Sequence, residues 1–115
     1  MSLPAEFSDR LRGILGTRLS EAAADRDHHA QSEAFHRSPP PDAVAWPQNA
    51  EEVAAILAAC NDARVPVIAW GTGTSLEGHA LPVRGGISLD LSRMDKVVEV
   101  RPEDMQASVQ PGVTR

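Results

Sequence analysis

Pro66-Val67-Ile68-Ala69-Trp70-Gly71-Thr72-Gly73-Thr74-Ser75-Leu76-Glu77-Gly78-His79 is the stretch on which the reading of this chain turns. Its first five residues form an apolar run that predicts a strand over 66–70, buried on both faces. A glycine- and hydroxyl-rich loop follows directly. Such a loop can turn several backbone N–H groups toward one point and hold a phosphate or pyrophosphate there. Glycine lets the backbone approach the anion closely, and the hydroxyls of Thr72, Thr74 and Ser75 add donors. A plain turn linking two strands has the same composition, so the loop taken by itself leaves both readings open.

Upstream, Ala43-Val44-Ala45-Trp46 reads as a short strand stopped by Pro47. Asn49 is a good N-cap, and Glu52 stands at the reciprocal capping-box position. Behind the cap, Val53, Ile56, Leu57 and Cys60 form one apolar stripe and predict a helix over 50–63. Strand, capped helix and strand at this spacing read as a βαβ unit, right-handed by default. The loop then leaves the C-terminal end of the second strand, where ligands collect in open α/β sheets. Downstream, 86–91 alternates as a strand, and 96–100 and 105–109 are two more, the last ending at Pro111-Gly112. At the N-terminus Leu3, Phe7, Leu11, Ile14 and Leu15 recur at helical spacing, with Gly16 as a stop. Residues 20–42 are polar, end in Pro39-Pro40-Pro41-Asp42, and read as an irregular surface linker. The expected organisation is therefore a helix and linker over 1–40 and an α+β unit over 41–115.

The chain has 115 residues, enough for one small domain, with 42% apolar and 23% charged residues. Aromatics are Phe7, Phe35, Trp46 and Trp70, so the core must be aliphatic. A net charge of −5 leaves no electrostatic footprint for nucleic acid or anionic lipid. The single Cys60 excludes an intrachain disulfide and fits a reducing compartment. No apolar run approaches ~20 residues, and Met1–Leu15 has no apolar signal region. A cytoplasmic location is the expectation.

Two phosphate motifs can be checked against the loop. In the dinucleotide fingerprint Gly71 and Gly73 fit, but Leu76 occupies the third position, and Leu81-Pro82 and Gly85-Gly86 break the helix that should follow. In the nucleotide-triphosphate loop Gly73 and Gly78 have the spacing, but His79 and Ala80 replace the lysine and hydroxyl. What remains is a cradle of neutral donors suited to a diphosphate, or a partner-binding module without catalysis. His28, His29 and His36 with Asp25, Asp27 and Glu33 lack the spacing of a metal site and are read as linker. A carboxylate at Glu77 would be repelled by a diphosphate and is expected to point away. Cys60 lies on the apolar stripe and is expected in the core, and Trp46 is expected to pack on the sheet. Arg93, Lys96 and Arg101 are too dispersed for an anion site.

Pro41-Asp42-Ala43-Val44-Ala45-Trp46-Pro47, Glu52-Val53, Val65-Pro66-Val67 and Gly71 through Gly78 together resemble the start of the flavin-binding domain of the vanillyl-alcohol oxidase/p-cresol methylhydroxylase (PCMH) superfamily. So do Gly85-Gly86-Ile87, Leu91 through Val97 and Val109-Gln110-Pro111-Gly112-Val113-Thr114. The likeness covers roughly 22–115 and is strongest to the branch of FAD-linked D-lactate dehydrogenase (cytochrome) and glycolate oxidase. It implies an α+β fold, the N-terminal half of a PCMH-type FAD-binding domain: a small β-α-β sheet with following strands, preceded by a short helix. It also implies FAD as cofactor. Gly71, Thr72, Gly73, Thr74, Ser75, Gly78 and His79 would wrap the diphosphate, Trp70 would flank the cofactor, and Pro111, Gly112 and Val113 would lie near the flavin or ribityl chain. Relatives often carry arginine or phenylalanine at Trp70 and glycine at His79. The implied chemistry is hydride transfer from a small D-2-hydroxy acid to flavin, then electron release to a carrier. The expectation is an N-terminal piece of a larger enzyme, without catalytic acid or base of its own. Its strand near 105–109 would be an exposed edge prone to self-association.

Overall fold

The computed structural model describes residues 3–31, 38–74 and 79–114. In chain order the elements are α1 (Ala5–Leu15), a 3-10 turn, β1 (Leu19–Ser20), α2 (Ala23–His28), β2 (Ala43–Ala45), α3 (Ala50–Ala63), β3 (Val67–Trp70), β4 (Ile87–Asp90), β5 (Val97–Arg101) and β6 (Gln106–Val109). The first four strands form one sheet in the order β1-β2-β4-β3. β1 is antiparallel to β2, while β2, β4 and β3 run parallel. β5 and β6 form a separate antiparallel hairpin.

The predicted strand–helix–strand unit is present, but its two strands do not touch. β4 returns into the gap between β2 and β3, with Ile87 in register with Ala43 on one side and Val67 on the other. This exchanges the burial expected for two strands. β3 is an edge strand, so Ala69 is exposed and Val67 and Ile68 are half-buried, not covered on both faces. β4, which alternates in sequence, is central and buried throughout. A central strand is covered on both faces whatever its pattern.

Ile87 and Leu89 face the main core with Ala43 and Ala45 of β2. α3 adds Ile56, Ala59 and Cys60, and α1 adds Phe7, Leu11 and Leu15 at helical spacing. Leu57, read as part of the α3 stripe, is 44% exposed. The helix turns Ala59 inward instead.

The reading of 20–42 as irregular linker is corrected by α2 and by Leu19–Ser20, which pairs with Ala45 and Val44. α2 carries no apolar stripe, and none of its own residues is buried. Its ties are polar: Ser20 donates to the Asp25 carboxylate, and Arg26 Nε donates to the Pro41 carbonyl at 2.8 Å. Residues 3–29 thus pack onto the same sheet as the residues after 41. Glu33 and His36 lie outside the described residues.

The α3 cap is as expected on one side and displaced on the other. Asn49 Oδ1 accepts the Glu52 N–H at 2.8 Å. Glu52 reaches back to the N–H of Gln48, one residue beyond the capping-box partner, also at 2.8 Å. The displacement has a cause: Arg18 grips both carboxylate oxygens of Glu52, at 2.7 and 2.5 Å, and also donates to the Trp46 carbonyl. That fork holds the Glu52 carboxyl down at about 2, chiefly through its hydrogen bonds to the guanidinium.

Candidate functional site

The loop after β3 begins at a fixed point, because the Trp70 carbonyl accepts the Leu91 N–H at 2.9 Å. Gly71, Thr72, Gly73 and Thr74, with Ala69, His79 and Ala80, line an open cleft of about 370 Å³. The Thr72 and Thr74 hydroxyls lie 2.9 Å apart. Among the described residues, the N–H groups of residues 71–74 donate to no backbone carbonyl, and no acidic side chain lines the cleft. A larger cleft, about 660 Å³, runs along α1 past Arg12, Glu21 and Arg26. It shares no residue with the loop, and Arg12 and Glu21 pair with each other across it.

Gly73 has φ +75°, and a Cβ there would be driven into the six-membered ring of Trp70. The loop backbone therefore rests directly on the indole. Trp70 is 5% exposed and turns inward against His28 and His29, with ring centroids 5.9 and 4.7 Å away. The resemblance has Trp70 flanking a cofactor; the indole lies against the loop backbone at Gly73, while Trp70 is not among the residues lining the cleft. Ser75 and Gly78 lie outside the described residues.

Pro111, Gly112 and Val113 do not line that cleft. They are moored to the turn that leaves β4. The Gly112 N–H donates to the Met94 carbonyl at 2.8 Å, and a Cβ on Gly112 would collide with the carbonyl oxygens of Leu91, Ser92 and Met94. β3 and β4 are parallel neighbours, so the glycine loop and the Gly112 segment both hang from their C-terminal ends. That is the end of a parallel sheet where ligands bind.

Two residues behind the loop, His29 and Asp90, carry structure that sequence reasoning missed. Asp90 is paired in register with Trp70, and the Ala45–Leu89 pairing puts Trp46 on its other side. His29, 3% exposed, covers this row, 5.9 Å from Trp46 and edge-on to it. Its Nε2 lies 2.7 Å from Asp90 Oδ2, and its Nδ1 lies 2.8 Å from the Asp25 carbonyl. A carbonyl oxygen only accepts, so Nδ1 carries a proton. Burial alone would lower the His29 pKa, but the bonds to Asp90 and Asp25, with the Asp90 charge, outweigh it and raise the pKa. Burial likewise opposes ionisation of Asp90, yet the bonds from His29 and from Ser92 hold its pKa low. Both shifts favour the ion pair, an imidazolium donating from both nitrogens with one bond going to a carboxylate. Arg93 lies over the Trp46 ring, 5.0 Å from its centroid. The only sequence signal was an acid inside the run Ile87-Ser88-Leu89-Asp90, whose partner is 61 residues away.

The FAD binding domain family matches residues 41–115, which include the glycine loop and the Gly112 segment. The chain belongs to that family. It is 42% identical over 97 residues to the probable mitochondrial D-lactate dehydrogenase of Danio rerio, covering 84% of this chain and 20% of that protein. It is 37% identical over 113 residues to the mitochondrial D-lactate dehydrogenase [cytochrome] of Arabidopsis thaliana, covering 96% of this chain and 20% of the relative. With the glycolate oxidase subunit GlcD of Bacillus subtilis it shares 42% over 73 residues, 64% of this chain and 16% of that one. The chain thus spans about a fifth of the length of these relatives. Its fold matches p-cresol methylhydroxylase with substrate bound at a TM-score of 0.85 and 26% identity, covering 95% of this chain and 22% of that one. Alkyldihydroxyacetonephosphate synthase matches at 0.86 and 25%, covering 97% and 23%. The fold is that of a PCMH-type FAD-binding domain.

Proposed function

We propose that this chain holds the diphosphate of FAD in a flavin-dependent oxidoreductase acting on a small D-2-hydroxy acid, D-lactate or glycolate. The observation that carries the reading is the Gly71–Thr74 cradle, with N–H groups that meet no described backbone carbonyl, no acid in its described lining and an indole against its backbone at Gly73. Relatives named D-lactate dehydrogenase and glycolate oxidase subunit support the substrate class. Bound FAD supplies a two-electron acceptor for the hydride of the hydroxy acid. The chain's part is to bind and orient. The amides of Gly71, Thr72, Gly73 and Thr74 and the threonine hydroxyls offer neutral donors to the diphosphate, and His79 closes the far wall. Ser75 and Gly78 join the cradle by sequence. Pro111, Gly112 and Val113, moored at the same end of the sheet, serve the ribityl chain or flavin. No described residue is assigned as acid or base, and the 115-residue chain does not turn over substrate by itself.

An FAD titration of the chain, followed by flavin fluorescence and thermal unfolding, tests this. Saturable binding in the micromolar range, abolished by Gly73→Val, is the expected outcome. Binding that survives Gly73→Val in a folded protein places the diphosphate elsewhere.

The β5–β6 hairpin is exposed along both strands, with Val97, Val98, Val100 and Val109 in water. Two strands are marginal by themselves, and self-association through this hairpin is the partner we assign to the isolated chain. Sedimentation over a wide concentration range should reveal dimers; a strictly monomeric profile refutes them. No helix among the described residues is long and apolar enough to cross a membrane. A cytoplasmic location is part of the same proposal, to be checked by fractionation because two of the relatives are named mitochondrial.

A further inference from the structure

A buried ion pair stands directly behind the cradle and has no part in the reading above. His29 and Asp90 are both buried, and the imidazole is lodged between the only two tryptophans of the chain. One indole separates it from the loop: the His29 ring lies 4.7 Å from that of Trp70, and the Trp70 ring bears on the backbone at Gly73. Asp90 is also the register partner of Trp70 and accepts the Ser92 N–H at 2.9 Å, so it fixes the turn on which Gly112 is moored. The pair therefore touches the supports of both halves of the site.

We propose that His29 and Asp90 are positioning residues for FAD: their contact clamps Trp70 under the glycine loop and sets the turn beneath Gly112, so cofactor affinity depends on the pair being intact and charged. The inference rests on the FAD reading and adds to it the residues that hold the cradle in shape. A buried, hydrogen-bonded pair is rigid while both partners are present and costly when one is removed. A loop of glycines has little stiffness of its own, and the indole against it must supply the shape. Loss of the His29 proton would leave Asp90 a lone buried anion behind a cradle meant for a diphosphate. Among the described residues, the other charged or titratable groups around the imidazole are few. Asp25 and His28 lie on its own element, with the Asp25 carboxylate held by Ser20. Asp90 faces it from β4, and Arg93 reaches its neighbourhood across Trp46.

The experiment is FAD titration of the full chain between pH 6 and 9.5, with tryptophan emission recorded on the cofactor-free protein over the same range. Both indoles lie within reach of His29, so their emission should rise as the quenching imidazolium loses its proton. FAD affinity should fall through the same pH range. His29→Phe with Asp90→Leu replaces the pair by apolar groups and avoids stranding a charge. This double variant should stay folded, bind FAD about tenfold more weakly and lose the pH dependence of both signals. Wild-type affinity with an unchanged pH profile in the folded double variant overturns the positioning role and leaves the FAD reading intact. If Asp90→Asn, which keeps a hydrogen bond to His29 but no charge, binds as tightly as the parent at every pH, the charge requirement fails. No FAD binding by the folded parent chain refutes the cradle reading and this inference together.

Discussion

Gly73 and Cys60 show how differently two small residues can be constrained. At Gly73 the limits are a left-handed φ and an indole where a Cβ would go, so no side chain fits without moving Trp70. The glycine pattern of the loop was legible in sequence; that the obstacle is the residue three positions earlier was not, since it depends on how the chain turns. Cys60 is the opposite case, correctly read from its place on an apolar stripe. It is 2% exposed, and burial pushes its thiol up to about 11, with Arg10 opposing only in part. A thiol reagent at pH 8 should therefore modify the native chain slowly and the urea-unfolded chain promptly. Equal rates in the two states refute a core position.

At the scale of elements, α3 followed its local rules most closely, because cap, stripe and length are all short-range signals. Its bounds, Ala50–Ala63, are those the periodicity predicts. Removing the cap with Asn49→Ala should cost about 1 kcal/mol. The Glu52 carboxyl adds a pH dependence. Its folded pKa, about 2, lies below its ordinary 4.5. The stabilisation is therefore complete above the ordinary value and is lost as pH falls toward the folded one. Urea midpoints should drop between pH 5 and 2, and Arg18→Met should flatten that slope; an unchanged slope would separate Arg18 from Glu52. α2 was illegible for the converse reason. Six residues without an apolar stripe give no period to read, and what docks α2 is a set of polar bonds and the histidine just after it.

At the scale of the whole molecule, the N-terminal helix belongs to the same core as the family-matched residues. Phe7, Leu11 and Leu15 pack with Ile56, Ala59, Cys60, Ile87 and Leu89. Leu11 is fully buried, so Leu11→Ala should cost about 2–5 kcal/mol, the range for a buried leucine lost from a tight core. A loss under about 0.5 kcal/mol, the surface range, would mean that α1 is a detachable arm. The His29–Asp90 pair adds a pH window on the same scale. A raised histidine stabilises below its ordinary value of 6.5 and stops doing so as pH rises through its folded pKa. A lowered aspartate stabilises above 3.8 and fails as pH falls. Both contributions coexist between those limits.

By itself the sequence determined what short range can encode: the first helix, the capped α3, the short strands, the glycine loop at a strand end and the buried thiol. These depend on spacings of three, four or two residues and on single capping side chains. Tertiary structure decided strand order, with β4 taking the centre from β3, and the burial of Asp90 and of His29, the latter read as part of a surface linker. It also set the Trp70 indole against the loop backbone at Gly73. Each of these depends on which strand is central and on a pairing across 61 residues. A chain pattern with a period of a few residues carries no signal over that distance. Burial of Asp90 becomes tolerable only once His29 stands opposite it.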